Sequence, residues 1–136
     1  MQDNGIPPEV LGARRPRVLI VDDDEAILAL VQEVLNMDGS FDVETASTGY
    51  EAGIQTERFQ PDLMLLDFML PDINGNEVCK RIRENKSTAS TQIVILSGAV
   101  NHKEIDGVLA DGADSFIAKP FDPMELLERV RELVGA

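Results

Sequence analysis

Cysteine and histidine each occur once in these 136 residues, and bases are scarce: 12 lysines and arginines face 25 aspartates and glutamates, a formal net charge of -13. Each shortage excludes something. The lone thiol, Cys79, can form no internal disulfide, which agrees with a reducing compartment. It reads as a small buried apolar residue. With Cys79 and His102 both in helical patterns, no sulfur-and-imidazole site can be assembled, so zinc and copper chemistry is disfavoured; His102 is expected to be solvated. The negative charge repels phosphate backbones and anionic lipid, which argues against direct nucleic-acid binding by this domain. The local run Lys80-Arg81-Ile82-Arg83 reads as a solvated helix face. No apolar stretch approaches the ~20 residues of a membrane span, and Met1-Gln2-Asp3-Asn4 lacks the features of a signal peptide, so no membrane partner and a cytoplasmic location are expected.

What is present is a regular alternation within a length that suits one domain. Short strands at 17 to 21, 41 to 45, 62 to 66, 92 to 96 and 115 to 118 alternate with helical patterns at 24 to 37, 48 to 58, 75 to 85, 101 to 110 and 123 to 134. Strict alternation with short connections predicts an α/β fold, a doubly wound five-stranded parallel sheet flanked by five helices. The apolar runs agree, since central strands of such a sheet are buried on both faces. In the first helix Ile27, Leu30, Val31, Val34 and Leu35 recur at helical period and predict a buried stripe, with Gly39 ending the helix.

Helix starts share a chemistry. Thr48 with Glu51, Asn74 with Glu77, Asn101 with Glu104 and Asp122 with Glu125 each put a capping side chain three residues before a glutamate. Ile73 with Val78, Val100 with Ile105 and Phe121 with Leu126 have the spacing of hydrophobic staples, and Pro123 suits the first helical position. Residues 1 to 16, punctuated by Gly5, Pro7, Pro8, Gly12 and Pro16, predict a flexible N-terminal tail in which Val10 and Leu11 could dock locally. No repeat or low-complexity tract occurs, and no output domain is expected within this chain.

The strand endings carry the chemistry. Val18-Leu19-Ile20-Val21 stops at Asp22, Asp23 and Asp24; Leu63-Met64-Leu65-Leu66 stops at Asp67; Ile93-Val94-Ile95-Leu96 stops at Ser97; Ser115-Phe116-Ile117-Ala118 hands over to Lys119-Pro120. Ligands of open parallel sheets bind outside the carboxyl ends of the strands, so these endings are expected to converge. Clustered carboxylates ask for a shared cation, and oxygen-only ligation suits Mg2+. Beside it Asp67 can act as a nucleophile toward a phosphoryl group, with Lys119 and Ser97 addressing phosphoryl oxygens. Asp22 or Asp23 is also expected to cap the first helix, and Asp24 to be exposed.

Over residues 17 to 134 the chain resembles the receiver domains of two-component response regulators. The resemblance rests on Val21-Asp22-Asp23-Asp24-Glu25, on Leu65-Leu66-Asp67-Phe68-Met69-Leu70-Pro71-Asp72-Ile73-Asn74-Gly75, on Ile95-Leu96-Ser97-Gly98-Ala99 and on Ala118-Lys119-Pro120-Phe121. It implies a flavodoxin-like sheet of order 2-1-3-4-5, a receiver domain over residues 17 to 136, and Asp67 as phosphoacceptor for a histidine kinase or histidine phosphotransfer protein. Asp23, Asp67 and the backbone carbonyl of Met69 would hold Mg2+, with Asp22 reaching it through water. Ser97 would be the switch hydroxyl, Phe116 the switch aromatic and Lys119 the phosphate partner, with a cis Lys119-Pro120 bond. Serine at 97 and phenylalanine at 116 are variants of commoner threonine and tyrosine. Met69 and Ala99 would tune phosphate lifetime. Such a domain catalyses only its own phosphorylation and dephosphorylation and signals to a downstream protein or output domain; the resemblance leaves room for a phosphorylation-dependent homodimer.

Two rival functions remain at this point. A haloacid-dehalogenase-like phosphohydrolase also uses an aspartyl nucleophile, but it places a second Asp two residues later, where this chain has Met69. An interaction module that is never phosphorylated would have lost the acids or the lysine. Phe116 by itself fits a core aromatic as well as a switch.

Overall fold

The computed structural model describes residues 15–98 and 101–135. Five strands and five helices alternate: β1 (Arg17–Val21), α1 (Glu25–Asp38), β2 (Asp42–Ala46), α2 (Gly49–Phe59), β3 (Leu63–Asp67), α3 (Gly75–Glu84), β4 (Gln92–Ser97), α4 (His102–Ala110), β5 (Ser115–Ala118) and α5 (Pro123–Val134). The strands form one parallel sheet of order β2-β1-β3-β4-β5. Boundaries lie within one residue of the sequence-based expectation. The predicted tail falls largely outside the described residues, as do Val10, Leu11, Ala99 and Val100.

Side chains of the central strands alternate between two apolar layers, as the two-residue repeat of a strand requires. Leu19, Val21, Met64, Leu66, Ile93 and Ile95 pack with Ala52 of α2, Val78, Cys79 and Ile82 of α3 and Val108 of α4. Val18, Ile20, Leu63, Leu65, Val94 and Leu96 pack on the opposite face with Val31 and Leu35 of α1 and Leu126, Leu127 and Val130 of α5. The edge strands β2 and β5 are only half covered. The stripe on α1 is narrower than its periodicity suggests: Val31 and Leu35 are buried, whereas Leu30 is 41% exposed.

Among the caps, Thr48 Oγ1 accepts from Glu51 N–H, Asn74 Oδ1 from Glu77 N–H and Asn101 Oδ1 from Glu104 N–H. Asp122 departs from the box by accepting from Met124 N–H, one residue earlier. Pro123 takes the first turn of α5, and Gly39 ends α1 in the left-handed conformation.

Arg83 corrects the expectation of a wholly solvated basic face. Lys80 and Arg81 are exposed, but Arg83 is half-buried. Its guanidinium donates to the carbonyls of Gly112, Ala89 and Thr91 and pairs with Asp114, joining the end of α3 to the approaches to β4 and β5. Five donors in one planar group allow this reach. Gly112 is required there, because a Cβ on it would stand 2.7 Å from Arg83 Cγ and its φ is +126°. No helix among the described residues is long and apolar enough to cross a membrane.

Candidate functional site

Parallel strands all end at the same side of the sheet, and neighbouring registers bring Val21 beside Leu66 and Asp67 beside Leu96. Asp67 is therefore the last residue of β3, with the β1 and β4 endings on either side. Backbone bonds fix the loops that leave these strands: Asp22 N–H donates to Ala46 O at 3.1 Å, Phe68 N–H to Leu96 O at 3.0 Å and Lys119 N–H to Ser97 O at 2.7 Å. The Lys119-Pro120 bond is cis.

Carboxylate oxygens of Asp22, Asp23 and Asp67 lie within 4.8 Å of one another, Asp22 and Asp67 buried and Asp23 exposed. Lys119 Nζ reaches in from the residue after β5, 2.8 Å from Asp22 Oδ2 and 3.4 Å from Asp67 Oδ1. Asp22 has both oxygens engaged, since Oδ1 accepts from Asp24 N–H at 2.9 Å. Asp67 Oδ1 also accepts from Met69 N–H at 3.4 Å. Ser97 is buried at the end of β4, opposite Ala118.

The helix cap is a correction: Asp24, not Asp22 or Asp23, caps α1, accepting from Ala26 and Ile27 N–H at 2.9 and 3.4 Å. Three consecutive acids each satisfy the preference for an N-cap, and only the course of the loop distinguishes them. Asp24 is exposed as expected. Phe116 is 39% exposed, so it is no core aromatic. His102 is exposed, and Cys79 is buried with its thiol pushed up to about 12 by desolvation. Neither belongs to the site.

Crowding has electrostatic consequences. Burial, then the charge of Asp22, raises the Asp67 carboxyl from 3.8 to about 6, against the opposing pull of Lys119. For Lys119, burial works against the charged form, but the hydrogen bond and charge of Asp22, joined by Asp67, outweigh it and hold the ammonium above its ordinary value. Three acids against one base leave negative charge unmatched in a partly dry cleft, which is the condition that a hard dication relieves. The donor set is oxygen alone and fits such an ion.

Motif reading passed over a second arrangement beside these acids. Asp72, in the loop after β3, accepts from Gly49 N–H at 2.8 Å and Tyr50 N–H at 2.9 Å at the start of α2. These two amide bonds hold its carboxyl below the usual range. No local signal connects residues 22 and 23 positions apart; only the fold makes them neighbours.

Comparison with known proteins places these observations. Residues 18–131 match the family described as the response regulator receiver domain. The chain is 37% identical over 119 residues to the phosphate regulon transcriptional regulatory protein PhoB of Rhizobium meliloti (strain 1021), covering 88% of this chain and 52% of that protein. It is 43% identical over 121 residues to the DNA-binding dual master transcriptional regulator RpaA of Synechocystis sp., covering 88% and 49%. The chain thus spans about half the length of the curated relatives it matches. Among solved structures, the chemotaxis response regulator CheY4 of Vibrio cholerae superimposes with a TM-score of 0.80 at 30% identity, covering 87% of this chain and 98% of that one. A CheY-like receiver domain protein of Methanospirillum hungatei JF-1 gives 0.81 at 33% identity, with 88% and 94% covered.

Proposed function

This chain belongs to the family of response regulator receiver domains, and from that membership we propose that Asp67 is its phosphoacceptor, charged by a phosphohistidine of a sensor kinase or phosphotransfer protein. The observation that carries this proposal is the meeting of Asp67 with Asp22, Asp23 and Lys119 at one end of the sheet. Asp23, Asp67 and the Met69 carbonyl would hold Mg2+, with Asp22 behind them. When bound, the ion neutralises oxygen charge on the phosphoryl group as it is transferred.

The protein's own residues do the rest. With its carboxyl near 6, Asp67 is mostly ionised at neutral pH and is a competent nucleophile. One carboxylate oxygen attacks phosphorus as the bond from phosphorus to the donor's imidazole nitrogen breaks, and that nitrogen keeps the electron pair. Asp67 becomes an acyl phosphate. Lys119, already 3.4 Å from Asp67 Oδ1, pairs with a phosphoryl oxygen, because esterification removes the charge it faced on Asp67 and delivers roughly -1.5 to -2 in its place. Ser97 donates to another oxygen. Water later attacks phosphorus, returning the carboxylate and inorganic phosphate, so the only catalysis is on the domain itself. Exposed Met69 stands where a phosphohydrolase of the dehalogenase type needs its second acid.

Signalling follows from the loss and gain of contacts. Ser97 moving toward the phosphoryl group vacates space behind it, and Phe116, outward in this structure, turns in. The surface of α4, β5 and α5 then changes for a downstream protein or output domain, or for a second copy. A cytoplasmic setting accords with the absence of a membrane-spanning helix among the described residues. Residues 17 to 136 would be the receiver and the preceding ones a tail.

Incubation with acetyl phosphate and Mg2+ tests the assignment by intact-mass measurement. Wild type gains one phosphoryl group and Asp67→Asn gains none. Equal labelling of the variant would sink the proposal, and sustained turnover of small phosphate esters would revive a phosphohydrolase.

A further inference from the structure

The two loops that carry the acids are joined from behind through a third element, the turn that starts α2. On one side Asp22 N–H donates to Ala46 O at 3.1 Å, where β2 ends. On the other, Asp72 accepts from Gly49 and Tyr50 N–H at 2.8 and 2.9 Å. The first four amides of a helix have no partner within it. In α2 the amides of Gly49 and Tyr50 go to Asp72 and that of Glu51 to Thr48 Oγ1, while Ala52 N–H makes the first bond of the helix itself, to Thr48 O. Two orphan amides at the start of α2 are thus satisfied by a carboxylate that comes from another part of the chain.

Gly49 permits the approach. A Cβ on it would lie 1.7 Å from Ile73 Cγ2, so any other residue would push Ile73, and Asp72 beside it, away from the helix. Between Asp67 and Asp72 sits Met69, whose side chain is 75% exposed and so gives its own backbone little anchorage. The loop is held by Gly75 N–H to Phe68 O at 3.0 Å, by the bridge between Met69 and Asn74, by Phe68 N–H to Leu96 O at 3.0 Å and Met69 N–H to Asp67 Oδ1 at 3.4 Å where it leaves β3, by buried Leu70, and by Asp72. The first two bonds close the loop on itself. Among the described residues, Asp72 supplies the polar tie from this loop to α2.

We propose that Asp72 and Gly49 form a brace that positions the Met69 carbonyl relative to Asp67 and Asp23, so that these residues set the domain's Mg2+ affinity without touching the ion. This rests on the phosphoacceptor assignment above. Asp72 is a positioning residue: its carboxylate spends both oxygens on α2 amides, and its effect on the ion passes through the loop.

Two measurements on the whole chain test it. In metal-free protein, Asp72→Ala accelerates amide hydrogen exchange at Gly49, Tyr50 and residues 69 to 74 by about tenfold or more, leaving β1 and β4 unchanged. By calorimetric titration with Mg2+ alone, the same variant binds about tenfold more weakly, the scale expected of residues that orient ligands. Asp72→Asn, which keeps one acceptor oxygen, falls between, and Gly49→Ala reproduces the loss with Asp72 intact. Unchanged exchange would refute the brace. Faster exchange with unaltered Mg2+ affinity would refute the positioning role. A wild type that takes up no Mg2+ would overturn the phosphoacceptor assignment and the positioning role together, and the exchange measurement tells that failure from one of the brace.

Discussion

Asp67 is a carboxylate that folding makes costly to ionise. Its carboxyl rises from 3.8 to about 6 on burial beside Asp22, so between these values the folded protein binds a proton that the unfolded chain releases. The penalty is absent below about pH 4, grows as pH rises through this window and is complete above about pH 6. Asp67→Asn removes it. We expect the variant, in chelator at pH about 7.5, to resist urea by about 1–2 kcal/mol more than wild type, the gain held below the full shift because Lys119 loses one of its two partners. The difference vanishes near pH 4 and shrinks when Mg2+ is added, since the ion favours the wild-type carboxylate. A variant no more stable than wild type at neutral pH would contradict the crowding described here. The same residues show what local pattern can and cannot say. Three acids in a row after an apolar run announced a cluster, but whether Asp22, Asp23 or Asp24 caps α1 depended on the loop's path.

At the scale of elements, Arg83 does more than any cap. One guanidinium serves the end of α3, the approach to β4 and the turn before β5, with Asp114 Oδ2 also accepting from Ile93 N–H at 2.7 Å. Arg83→Ala leaves three carbonyls to find water and should cost about 2 kcal/mol in denaturant unfolding, whereas Arg81→Ala, at an exposed residue paired with Glu77 one turn earlier, should cost under about 0.5 kcal/mol. Comparable effects of the two would show that the clasp is unimportant. Spacing made the helix starts readable because a cap is a local event. It could not separate Arg83 from Arg81, since both belong to one charged run and only the packing of α3 turns one inward. Leu30 illustrates the same limit: it has the periodicity of the stripe, yet among the described residues it stays 41% exposed.

At the scale of the molecule, the formal charge of -13 is spread over a fold that gathers acids at one sheet end. Like charges repel more in the compact state than in the extended chain. Raising NaCl from about 20 to about 200 mM shortens the screening length from roughly 20 to roughly 7 Å, and in chelator this should raise the unfolding temperature by a few degrees. A fall instead would mean that attractive pairs, such as Lys119 with Asp22, outweigh the general repulsion.

Amino-acid order by itself determined the alternation of strands and helices, the apolar strands that bury both faces, and the identity of the residues that end them, because hydrophobic period and strand-end chemistry are properties of neighbours along the chain. Tertiary structure alone decided which acid caps α1, that Arg83 turns inward, that Phe116 faces out, and that Asp72 meets the first amides of α2. Each of these depends on distances between segments far apart in the chain, which no local pattern encodes.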